Sequence, residues 1–167
     1  MLIRSTRLGD LDVPQRLVIK FPHGLPGFPE PREFAVVPYG PDSPFFIMQA
    51  ADDPDLTFVL VDPFAFFADY LVNLEDDVAQ MFGVGDQNPP HILCVVTIPQ
   101  NAEEMTANLM APVLINWASG IGGQVVLEKT PFNTRHRLFP QGFKKEEAPQ
   151  SGTAAAEGGV KLAGANP

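Results

Sequence analysis

Proline is the feature that most constrains this chain. Eighteen prolines occur in 167 residues, and half of them fall within the first 54. Each one removes a backbone donor, fixes φ and breaks a helix interior. A chain punctuated this often in its first third builds strands and turns there, with few helices. The stretches between the breaks agree. Residues 16–21, 34–37, 45–48, 57–61, 91–98, 113–116 and 124–128 are short, rich in Val, Ile, Phe or Thr, and bounded by Pro, Gly or Asp. That is the pattern of strands. Many short strands separated by turn signals predict a mostly β, compact antiparallel sandwich or barrel. Leu, Ile, Val and Phe make up 50 of the 167 residues, well above the roughly 20% below which chains stay disordered.

One helix is expected. Leu74, Val78, Met81 and Phe82 recur at helical spacing, with Asn73 as a cap and Glu75, Asp76 and Asp77 in the first turn, where carboxylates complement the helix dipole. Gly83 is placed to end it. A second short helical turn is expected over residues 102–105. Gly120-Ile121-Gly122-Gly123 reads as a hairpin turn. Beyond Pro140 the composition shifts to small and polar residues. This predicts one domain over residues 1–142 and a disordered Ala/Gly-rich tail over 143–167.

Charge is unevenly distributed. The net charge is −9, and between Arg32 and Lys129 the chain carries no Lys or Arg, only carboxylates. Such a field repels nucleic-acid phosphates and speeds encounter with a basic partner. No apolar run reaches the roughly 18 residues that span a bilayer, and the first residues lack the apolar stretch of a secretory signal. No membrane association is expected, and the location expected is cytoplasmic. The lone Cys94 allows no internal disulfide and fits a reducing compartment.

Catalytic patterns are missing. His23, His91 and His136 do not have zinc-helix spacing. There is no nucleophile elbow and no phosphate loop, and Gly83-Val84-Gly85 lacks the third glycine of a dinucleotide fingerprint. Cys94, inside an apolar run, reads as a small buried hydrophobe. His91, opening the same run, reads as a surface or hydrogen-bonded histidine. The acid pairs Asp52-Asp53 and Glu103-Glu104 read as solvated side chains. No catalytic residue, cofactor or metal ligand is assigned.

Four segments carry more than strand chemistry. Gly24-Leu25-Pro26-Gly27-Phe28 is a tight turn whose Leu25 and Phe28 are expected to anchor it in the core. Asp53-Pro54-Asp55-Leu56 and Asp62-Pro63-Phe64 bracket a strand and lead into Phe66, Phe67, Asp69 and Tyr70. Val96-Thr97-Ile98-Pro99 follows. The last runs from Thr106 through Asn108, Pro112 and Asn116 to Gly123-Gln124-Val125-Val126-Leu127. In this order, and closed by Arg135-His136-Arg137-Leu138-Phe139, they resemble the FliW family of bacterial flagellar assembly factors over residues 2 to 139.

The resemblance implies a barrel-like single domain with one or two short helices, and a cytoplasmic protein without catalytic activity. It implies binding to flagellin before export and to the translational repressor CsrA, whose block on flagellin mRNA is relieved away from its RNA-binding surface. It implies no direct nucleic-acid contact. The acidic body suits such a partner, and Phe64, Phe66, Phe67 and Tyr70, flanked by Asp62 and Asp69, are the expected protein-binding residues. Phe66 and Phe67 would point to opposite faces if they lay on a strand. Trp117 is a further candidate, since members of the family usually carry basic residues in the loop after Asn116 and this sequence has none there. Gly24, Pro26, Gly27, Phe28, Asn108, Pro112 and Asn116 are expected to act structurally. Two alternatives remain: a dedicated flagellin chaperone that does not bind CsrA, and a β-barrel holding a small ligand such as a flavin or nucleotide.

Overall fold

The computed structural model describes residues 1–30 and 32–143; apart from Phe143, the expected tail lies outside the described residues. Strands β1 (Leu2–Ser5) and β2 (Gly9–Asp12) form a two-stranded hairpin. Next come β3 (Val18–Phe21), β4 (Arg32–Pro38), β5 (Phe45–Ala50) and β6 (Thr57–Val61), then helix α1 (Asp76–Phe82) and β7 (His91–Thr97). The chain continues through β8 (Thr106–Ala107), β9 (Val113–Asn116), β10 (Ile121–Gln124) and β11 (His136–Arg137).

Strands β3 to β7 form an antiparallel meander. Strand β7 also pairs with β9, β9 with β10, and β10 with β3. The sheet therefore closes on itself as a seven-stranded barrel. Every pairing is antiparallel except β10 with β3, which is parallel through Ile121 opposite Lys20.

Strand alternation decides the core. Ile19 and Phe21, Phe34 and Val36, Met48 and Ala50, and Val113 and Ile115 are two residues apart on their strands, so each pair faces inward together. With Leu60 and Leu93 they fill the barrel, as closure of this few strands requires. The opposite face of β6 and β7, with Val61, Cys94 and Val96, is covered by Tyr70, Leu109 and Leu138. The β1–β2 hairpin covers Val18 and Ala35 with Ile3 and Val13.

Several local expectations shift. The last hairpin turns at residues 117–120, with Gly120 at φ +74°, and Val125–Glu128 lie beyond the strand. Gly122 and Gly123 sit inside β10 because nothing larger fits. A Cβ on Gly122 would stand 2.9 Å from the Leu114 carbonyl oxygen, and one on Gly123 would stand 2.6 Å from the Phe82 ring. These glycines serve close approach and not a turn. Helix α1 begins at Asp76 with Glu75 at its N-cap, so Asn73 lies outside it and caps nothing. Its two turns bury Phe82 and leave Met81 59% exposed. Gly83 ends it at φ +67°, its N–H reaching back to the Gln80 carbonyl. The second turn forms as a single 3-10 turn over Ala102–Glu104, capped by Asn101, whose Oδ1 accepts from the Glu103 N–H at 3.2 Å.

Candidate functional site

The aromatic segment after β6 begins with a cap. Asp62 Oδ1 accepts from the Phe64 N–H at 3.0 Å and fixes a 3-10 turn over Pro63–Ala65. Phe66 and Phe67 therefore follow a turn and are not on a strand, and the expected alternation between faces does not occur. Both are half-buried against the outer cluster on β6 and β7. Phe66 packs edge-on to Phe139 at 5.5 Å and tilted against Phe45 at 6.0 Å, while Phe67 meets the His136 ring at 5.9 Å.

Tyr70 corrects a second expectation. It is buried, and its hydroxyl donates to the Leu109 carbonyl at 2.7 Å, with Cys94 Sγ 3.9 Å away. It is a pin between the aromatic segment and the sheet, not a surface anchor. Burial raises its phenol above the ordinary range and pushes the Cys94 thiol up to about 12, so Cys94 is held as an inert thiol. What the segment leaves at the surface is Phe64, 50% exposed with its ring 5.6 Å from Tyr70, together with exposed Asp69 and half-buried Asp62.

A second group gathers at one end of the barrel. His91 starts β7 two residues before inward-facing Leu93, so alternation places it at the rim of the core. Phe46 meets it edge-on at 5.4 Å. Trp117 follows β9, and its indole N–H donates to His91 Nδ1 at 3.0 Å with the rings 6.1 Å apart. The bond requires an unprotonated Nδ1, and burial lowers the His91 pKa, against an opposing pull from Asp62. Trp117 itself remains 36% exposed. Sequence reasoning singled out Trp117 but did not join it to Phe46 and His91. The strand parity of His91 was the available signal.

Asn116 supports this end from below. Buried, it donates through Nδ2 to the carbonyls of Phe82 (2.8 Å) and Gly83 (3.3 Å), while its Oδ1 accepts from the Ala118 and Ser119 N–H groups (3.1 and 3.2 Å). It ties the end of α1 to the turn that carries Trp117. Asn108 works similarly, its Oδ1 accepting from the N–H groups of Met110 and Ala111, both at 3.1 Å. The Pro112 carbonyl accepts from the Val125 N–H at 2.9 Å.

The opposite end of the barrel carries the Gly24–Phe28 turn. Leu25 and Phe28 exchange both backbone hydrogen bonds, at 2.8 and 2.7 Å, and Leu25 enters the core. Gly24 lies at φ +63°, and a Cβ there would stand 2.1 Å from the Phe28 carbonyl oxygen. Pro26 and Gly27 project to the surface, Gly27 at φ +85°. Phe28 is not the core anchor expected of it. It is 39% exposed, lying edge-on to Phe58 at 6.2 Å beneath the Arg32 guanidinium at 5.8 Å. The turn borders an open depression of about 490 Å³ shared with His23 and Gln124. Among the described residues, no group of three or more His, Cys, Asp or Glu is arranged to hold a metal ion.

Comparisons with known proteins cover nearly all of this architecture. The family model described as "FliW protein" matches residues 2–138. A flagellar assembly factor FliW of Heliobacterium modesticaldum is 42% identical over 146 residues, covering 87% of this chain and 95% of that one. One from Desulfitobacterium hafniense (strain DSM 10664 / DCB-2) is 40% identical over 141 residues, covering 84% and 93%. A solved crystal structure of the flagellar assembly factor FliW superposes with a TM-score of 0.75 at 33% identity, covering 84% of this chain and 98% of that one.

Proposed function

The chain belongs to the FliW family of flagellar assembly factors, and on that premise we propose that it is a non-catalytic cytoplasmic protein that binds flagellin before export and, once released from it, binds and antagonises CsrA. The observation that carries this reading is the family match over residues 2–138. Two features of this chain support it. Its central stretch, from Glu33 to Glu128, bears only negative charge, which favours a basic protein surface and disfavours RNA. Among its exposed aromatic residues, Phe64 and Trp117 are of the kinds that anchor protein interfaces.

The mechanism is competition for a shared protein. While flagellin accumulates it occupies this chain, and CsrA stays free to repress. As flagellin leaves, the vacated protein takes up CsrA. The switch depends on relative affinities and free concentrations alone. Calorimetric titration of the full chain with CsrA, repeated with flagellin at saturation, tests it. The expected result is binding to CsrA that flagellin suppresses. Full and independent binding of both proteins would overturn the switch. Tight binding to flagellin with none to CsrA would leave a dedicated chaperone.

A further inference from the structure

The geometry points to Trp117, together with Asp62, as a docking site for an arginine side chain on the surface of a protein partner. The inference rests on the protein-binding reading above and adds the side chain that is recognised.

Trp117 is held in place before any partner arrives. Its indole N–H is bound to His91 Nδ1 at 3.0 Å, and the His91 ring in turn meets Phe46 edge-on at 5.4 Å. The loop beneath is fixed by Asn116 through the N–H groups of Ala118 and Ser119. A large aromatic residue restrained in this way, yet 36% exposed, presents surface without a further loss of rotamer freedom on binding. An indole face is the best aromatic partner for a cation.

Charge selects the occupant. Asp62 follows Val61, which pairs with Cys94 on β7, three residues from His91. Asp62 therefore falls opposite inward-facing Leu93, on the same face of the sheet and at the same rim of the barrel as His91. Strands β5, β6, β7 and β9 contain no Lys or Arg; Lys20 on β3, whose N–H is bound to the Gly120 carbonyl, alternates with inward-facing Ile19 and Phe21 and so lies on the outer face of the barrel. A guanidinium fits this pairing better than an ammonium, because it stacks flat on an aromatic face while offering N–H groups to a carboxylate at its edge. An apolar or acidic segment would bring nothing to Asp62.

The chain has one tryptophan, so indole emission reports this site alone. Full-length protein is titrated with tetra-arginine amide, and in parallel with tetra-lysine and tetra-glutamine amides. A saturable emission change is expected with arginine, with a midpoint roughly threefold to tenfold higher for lysine and no response to glutamine. Asp62→Asn retains the oxygen that caps Phe64 and removes the charge, and it should weaken the arginine response several-fold. Absence of an arginine response, or equal responses to arginine and glutamine, overturns the inference.

Calorimetry with flagellin and CsrA then separates this inference from the functional reading. If the native chain binds a partner and Trp117→Leu binds it equally well, the arginine site is wrong and the functional reading survives. A loss of threefold or more in Trp117→Leu, with unchanged melting, supports the site. If the native chain binds neither protein, the functional reading fails, and the peptide titration alone decides for or against the arginine site.

Discussion

Tyr70 and Phe64 stand 5.6 Å apart and have opposite roles. The Tyr70 hydroxyl is the donor to the buried Leu109 carbonyl. Tyr70→Phe keeps the ring and strands that carbonyl, and a loss of about 1–2 kcal/mol is expected from denaturant unfolding. Phe64 is 50% exposed. Phe64→Ala should cost less than about 1 kcal/mol, far below the ~3–5 kcal/mol of a buried phenylalanine, while reducing affinity for a partner that uses this surface. The two variants, measured side by side, separate folding from binding within one aromatic segment. The distinction was not legible in the sequence, because four aromatic residues, Phe64, Phe66, Phe67 and Tyr70, follow β6 and only the turn fixed by Asp62 decides which of them face outward.

At the scale of elements, the molecule depends on side chains that replace missing backbone partners. Asn116 satisfies the carbonyls of Phe82 and Gly83 at the end of α1 and two N–H groups in the turn after β9. Asn116→Ala leaves all four without this partner, and a destabilisation of about 2–4 kcal/mol is expected by thermal or chemical unfolding. The central strands were readable from their runs of Val, Ile and Phe, because inward faces must be apolar. Strands β1, β2, β8 and β11 were not, since two residues or an alternation of Arg, Ser and Asp give no such run. The glycines of β10 misled for a physical reason. A glycine required by a close neighbour, as Gly123 is by Phe82, looks in sequence like a glycine required by a turn. The end group of Phe46, His91 and Trp117 assembles from two strands and the turn after a third, far apart in the chain, so spacing could not reveal it.

For the whole molecule, charge governs encounter. With a net charge of −9 and no cation between Arg32 and Lys129, association with a basic partner should slow several-fold between low and high salt, while dissociation changes little. Stopped-flow mixing with the partner that binds provides the check; an association rate indifferent to salt would remove steering from the account. The closure of the barrel has a separate consequence, for synthesis. The ring is completed where β10 meets β3 through the single register pair of Ile121 and Lys20, with the Lys20 N–H bound to the Gly120 carbonyl. Those positions are about 100 residues apart, so this contact carries the loop-closure cost of nearly the whole domain. A ribosome releasing the chain from its N-terminus exposes the β3–β7 meander as an open sheet with two bare edges, and the edges disappear only once β9 and β10 have emerged.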